Sequence, residues 1–120
     1  MRVHPSNLAP PLIALGAWLE TVRPGGARKV TVEALYPKLP MASSAEHTLA
    51  DDELIVAIHV PKPKATHGRS AYRESREKLS FDWPTTAAAA WLRTEGGKVV
   101  DAKICLGAVG PNPIPGDAAA

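Results

Sequence analysis

The densest run of chemically capable side chains is Tyr72-Arg73-Glu74-Ser75-Arg76-Glu77-Lys78, which sets a phenol and three cations among two carboxylates. A guanidinium in such a run can pair with a phosphate or with negative charge on a bound ring. The same residues also read as a solvated strand with weak Arg73/Glu74 and Arg76/Glu77 surface pairs. Lys62, Lys64, His67 and Arg69 extend the basic series, with Phe81 nearby, but Glu74, Glu77 and Asp82 interrupt it. A field broken by carboxylates attracts phosphate poorly, so no nucleic-acid partner is expected. Asp51-Asp52-Glu53 reads as a solvated turn before a strand rather than a cation cage. His4, His47, His59 and His67 lack paired ligand spacing, and Cys105 has no second thiol, so no metal site is expected on this chain. Cys105 reads as a small core residue, and His59 as one face of a strand. No Ser-His-Asp arrangement or nucleophile elbow is present, and no catalytic residue is expected.

The 120 residues fit one domain, and 45% apolar residues suffice for a modest core without disulfides. A net charge of +2, from 14 basic and 12 acidic side chains spread along the chain, directs it to no particular polyanion. With one cysteine, no secretory leader at the start and no apolar run near the roughly 18 residues of a span, a cytoplasmic protein with no membrane association is expected.

The elements that must position these side chains follow from periodicity. Leu8, Leu12 and Leu15 follow a Ser6-Asn7 cap at helical spacing, predicting a short helix from about Leu8 to Leu15, ended by Gly16. Residues 17–22 and 28–34 are rich in β-branched or aromatic types, and Pro24-Gly25-Gly26 supplies a turn, which predicts a hairpin. Val30, Val32 and Ala34 are expected on one face of its second strand. Residues 37–50 have no period and read as loop. Leu54, Val56, Ile58 and Val60 alternate with other apolar residues, predicting a strand that is central or covered on both sides.

Ala87 to Ala90 favour a helix on propensity alone. Glu95-Gly96-Gly97-Lys98, however, has the Gly-Gly pair of a tight hairpin, and Val100, Ala102, Ile104, Leu106 and Ala108 alternate behind it. A strand at Thr86 to Leu92 is therefore expected. The proline-rich stretch 111–120 is expected to be a flexible tail. Together these elements predict an α+β fold, a mostly antiparallel sheet of five or more strands covered by one or two short helices.

Four segments, in this order, resemble one enzyme family: His4 to Ala17, Asp52 to Pro61, Ser70 to Pro84 and Leu106 to Pro113. They are similar to the FAD-binding medium subunit of the molybdenum hydroxylases, the group of xanthine dehydrogenases, carbon monoxide dehydrogenases and bacterial aldehyde oxidoreductases. The resemblance covers nearly all of the chain but only the later part of that subunit. It implies that residues 1–110 form the C-terminal part of a flavoprotein medium subunit, with similarity to the CO dehydrogenase flavoprotein C-terminal domain from about residue 66.

In function, the resemblance implies an electron-transfer subunit carrying FAD. A large subunit would hold the molybdenum cofactor and a small subunit the iron-sulfur clusters, with the flavin passing electrons to a terminal acceptor. The resemblance points to four cofactor contacts. Asn7 stands where the family usually has aspartate, and keeps hydrogen-bonding capacity without charge; read from its own type it is a helix cap. Ile55 and Val56 match an apolar strand that packs on the flavin, and read equally as core. Arg73 is the best replacement for a lysine that many relatives carry near Glu74. A second reading, of a different class, is a fragment or interaction module that binds no flavin, since no Gly-rich cradle for a diphosphate is present.

Overall fold

Ser6 starts the first element, because its hydroxyl accepts the N–H groups of Leu8 (3.2 Å) and Ala9 (3.1 Å). The helix α1 runs Ala9–Ala14, with prolines in its first turn, where no N–H is needed. Gly16, at φ +68°, ends it as expected. The computed structural model describes residues 4–37, 45–62, 68–78 and 82–117.

The predicted hairpin forms as β1 (Trp18–Arg23) and β2 (Gly26–Thr31). Its second strand is shorter than expected, because Glu33–Leu35 winds into a 3-10 turn. Thr31 Oγ1 accepts the Ala34 N–H at 3.1 Å and so closes that turn. Val30 and Val32 are buried as predicted, whereas Ala34 is exposed. Met41 to Ser44, within the expected loop, lie outside the described residues.

Strand β3 (Leu54–His59) corrects a second expectation. Among the described residues it pairs only with β1 and forms the edge of a three-stranded sheet ordered β2-β1-β3. Leu54 is 69% exposed and Val56 50% exposed, so no described residue supplies the cover that the apolar pattern predicted. The register slips where Glu20 meets Ala57 and Thr21 meets Ile55, which leaves Val56 as an extra residue in the strand.

The remaining strands are β4 (Gly68–Ser75), β5 (Thr86–Glu95), β6 (Lys98–Gly107) and β7 (Ile114–Asp117). They form a second antiparallel sheet in sequence order. The fold is α+β as predicted, but the strands divide between two sheets rather than one. Gly96 (φ +56°) and Gly97 (φ +77°) give the turn between β5 and β6 the left-handed pair its tight geometry requires, and the alanine run is a strand. Pairing along both edges of β5 fixes that outcome against helix propensity. Part of the expected flexible tail is also ordered, since β7 pairs with β6 from Lys103 to Leu106. Asn112 leads into it, buried, donating from Nδ2 to the Pro37 carbonyl at 2.6 Å.

One core joins the two sheets. Leu19, Val30 and Val32 from the first meet Ala89 and Cys105 from the second, with Ile13, Ala14 and Ala17 between them. Helix α1 lies directly on β5 and β6. A Cβ on Gly107 would stand 2.6 Å from Pro10 Cγ, so only glycine allows this approach.

Candidate functional site

The alternation of β4 divides its polar residues between two faces. Tyr72 and Glu74 oppose the buried Ala89 and Ala87, on the face that carries α1. There the Tyr72 hydroxyl donates to Glu74 at 2.8 Å, and the Arg76 guanidinium meets Glu74 at 2.5 Å while bonding the Asp82 carbonyl. The expected neighbour pairs Arg73/Glu74 and Arg76/Glu77 therefore give way to an Arg76–Glu74 pair two residues apart, because neighbours in a strand point to opposite faces. Burial, helped by Glu74, pushes the Tyr72 phenol up to about 12. Burial likewise raises the Cys105 thiol to about 11, which fits the inert core residue expected.

Arg73 opposes Ala88 and projects from the other face of the second sheet. It makes no hydrogen bond or ion pair with any described residue. Asn7 is exposed and leads into α1, on the opposite side of that sheet. Ile55 and Val56 belong to the free edge of the first sheet, 38% and 50% exposed. The four candidate contacts thus lie on three separate surfaces.

Cavities formed by the described residues lie elsewhere. One of about 630 Å³ opens between the 3-10 turn and the start of β7, against Tyr36, Pro37, Asn112 and Pro113. A second, about 360 Å³, adjoins it beside Glu33 and Lys103. A third, about 140 Å³, lies between α1 and Tyr72. None is lined by Asn7, Ile55, Val56 or Arg73.

Two clusters were not foreseen from sequence. Glu53, read as part of a solvated turn, accepts from Thr21 Oγ1 and Arg28 Nε at 2.5 Å each, from Arg28 Nη2 at 2.7 Å and from the Ala50 N–H at 3.1 Å. Those bonds, Arg28 first, hold its carboxyl down to about 2. On the exposed face of the first sheet, His59 stacks on Trp18 at 3.7 Å between centroids and bonds Glu20 at 3.1 Å, while Lys29 Nζ sits 4.1 Å from the Trp18 ring centre. His59 on a strand face was legible, but its partners Trp18 and Glu20, and Lys29 over the Trp18 ring, were not. Among the described residues no cluster of metal-ligating side chains occurs, and no helix is long and apolar enough to cross a membrane.

Two strand layers sharing a core, with the chain passing from one to the other between residues 60 and 68, coincide with two family models in succession. Residues 1–63 match the FAD binding domain in molybdopterin dehydrogenase, and residues 70–120 match the CO dehydrogenase flavoprotein C-terminal domain. The chain belongs to the molybdopterin dehydrogenase FAD-binding family. It is 36% identical over 111 residues to the carbon monoxide dehydrogenase medium chain of Afipia carboxidovorans, matching 92% of this chain and 36% of that one. It is 31% identical over 114 residues to the aldehyde oxidoreductase FAD-binding subunit PaoB of Escherichia coli, covering 94% and 34%. The reconstituted CO dehydrogenase from Oligotropha carboxidovorans superimposes with a TM-score of 0.78 at 32% identity, over 91% of this chain and 36% of that one. The chain therefore spans about a third of the length of the curated relatives it matches.

Proposed function

We propose that this chain is a portion of an FAD-binding medium subunit in a molybdenum-dependent hydroxylase or dehydrogenase. There it helps hold a flavin that receives electrons from iron-sulfur clusters and passes them to a terminal acceptor. The observation that carries this reading is the agreement of both sheets with a CO dehydrogenase, at a TM-score of 0.78 over 91% of the chain. On this reading residues up to about 65 are the end of the flavin domain, and the four-stranded sheet from about residue 66 begins the C-terminal domain.

FAD is an elongated diphosphate, and its charged centre needs converging N–H groups or cations to offset lost hydration. The described residues offer no such convergence, and Asn7 and Arg73 are divided by a sheet. The four candidates therefore do not make a complete FAD site within this chain. We assign the chain the role of one wall. Ile55 and Val56 offer a dry, apolar contact to the flavin ring, Asn7 offers a hydrogen bond to a sugar or ribityl hydroxyl, and Arg73 is available to an anionic group on its own side. The rest of the site, like the molybdenum-binding large subunit and the iron-sulfur small subunit, lies outside these 120 residues. The chain alone is then not an active enzyme, and a cytoplasmic location remains part of the proposal.

The test is fragment complementation. The part of a CO dehydrogenase medium chain not matched here is co-expressed with this chain, purified through a tag on this chain, and scanned for flavin absorbance near 450 nm. The reading expects a yellow complex, and a substantially lower flavin content when Val56 is changed to Lys. A stable complex of both folded fragments without flavin, or no complex at all, would overturn it.

A further inference from the structure

In the first sheet one row of residues crosses all three strands. Arg28 of β2 pairs with Thr21 of β1, and Thr21 pairs with Ile55 of β3, so the three stand on one face of the sheet. That is the core face, since Thr21 and Leu19 are both buried. Ile58 pairs with Leu19 and lies on it too. Ile55 and Ile58 are three positions apart, and in a regular strand they would point to opposite faces. The extra residue Val56 removes that difference, so the bulge turns Ile55 to the side of Ile58.

Glu53 fixes the bulge at this point. Its side chain is buried and stands two residues before Ile55, on the same face by alternation. The carboxylate accepts from Thr21 Oγ1 at 2.5 Å, and from Arg28 Nε at 2.5 Å and Nη2 at 2.7 Å, the other two members of the row. The Ala50 N–H, at 3.1 Å, ties it to the turn before β3 as well. Without the bulge, Val56 would pair with Thr21 and Ile55 with Val22, a shift of one position that sends Ile55 and Glu53 to the other face. Glu53 would then lose Thr21 and Arg28 together. The clasp therefore exists in the bulged register and not in the regular one.

We propose that Thr21, Glu53 and Arg28 are positioning residues for the flavin: by holding β3 in its bulged register they present Ile55, beside Val56, to the ring. The inference rests on the function proposed above and adds to it the residues that set the geometry of the apolar wall. None of the three has to touch the cofactor. A carboxylate suits this task, because leaving a buried charged acceptor without its donors costs more than leaving a neutral one, and the wrong register is penalised accordingly.

The pair formed by this chain and the complementary part of a CO dehydrogenase medium chain is titrated with FAD. The vibronic structure of the bound flavin band, which sharpens in a dry site, is recorded at saturation. Thr21→Val keeps the volume but removes the donor, and should weaken FAD binding by roughly tenfold and blur the band. Thr21→Ser, which restores the hydroxyl, should behave as wild type. Cys105→Ala, in the core side of the second sheet, controls for lost stability and should leave FAD affinity and band shape unchanged. Backbone Overhauser contacts in the chain alone read the register without flavin. Thr21 should face Ile55 in wild type and Thr21→Ser, and position 21 should face Val56 in a substantial share of Thr21→Val molecules. Undiminished FAD binding by Thr21→Val, an unchanged register in that variant, or an equal loss of FAD in Cys105→Ala would overturn the proposal. A wild-type pair that binds no flavin would overturn the proposed function, and with it the role of the clasp toward flavin, even where the register shift is seen.

Discussion

In the three-stranded sheet a carboxylate ties the strands together. Glu53, just before β3, reaches Thr21 on β1 and Arg28 on β2, so one side chain joins all three. In the four-stranded sheet the face toward the core is held by size. Ala87, Ala89 and Cys105 are buried, and Gly107 lets Pro10 touch the strand. The comparison teaches that one core can be closed by two kinds of fit. The charge-tied sheet should respond to pH and to loss of a donor but tolerate small changes of volume. The close-packed sheet should ignore pH and respond to single methyl groups.

The largest effect is expected where volume is least forgiving. Ala89→Leu pushes three extra carbons into the space between α1 and the sheet, and should lower stability by about 3 kcal/mol, read from urea denaturation. Gly107→Ala adds one methyl against Pro10 and should cost about 2 kcal/mol. Serine there should behave like alanine, because the conflict is with the Cβ.

The charge-tied sheet gives the next tier. Thr21→Val keeps the shape but removes one donor from Glu53, at a cost of about 1–2 kcal/mol. Its pH response has a defined sign. Glu53 ionises well below the ordinary carboxylate range of about 4.5, so its contribution is complete above that value and fades as pH falls toward about 2. Wild-type stability should therefore fall more steeply from pH 5 to pH 3 than that of Glu53→Gln, with the two profiles parallel above pH 6. Equal slopes in the acid range would show that the clasp is not what ties the sheet. The smallest change is expected at the exposed Trp18 cluster, where Lys29→Ala should cost about 0.5 kcal/mol and raise the quenching sensitivity of Trp18 fluorescence.

The division between the sheets also marks what the chain reveals without coordinates. Gly16 and the Gly96-Gly97 pair were legible because a positive φ has a residue signature, and the strands were legible because alternation reports a face. Alternation does not name the neighbour, so neither the split into two sheets nor the edge position of β3 could be read from it. The apolar pattern of Leu54 to Val60 was read as a central or covered strand, whereas β3 lies at the edge with Leu54 and Val56 exposed, because apolar type alone does not say what packs on a face. The Glu53 clasp joins residues 25 and 32 positions apart, a separation without local signature, and its carboxylate stood within an acidic run that resembles any solvated turn. Arg73 was singled out as the replacement for a family lysine, and among the described residues it makes no ion pair. That a whole sheet lies between it and Asn7 depends on register, which a motif does not carry.

Everything proposed about function depends on this chain being one wall of a flavin site rather than a complete one. An equilibrium titration of FAD, followed by flavin fluorescence, with and without the complementary part of a CO dehydrogenase medium chain, tests that claim most directly. The account predicts no saturable change with this chain alone and stoichiometric binding by the pair. Tight, stoichiometric binding of FAD by the chain alone would contradict it, as would a folded pair that leaves the flavin signal unchanged.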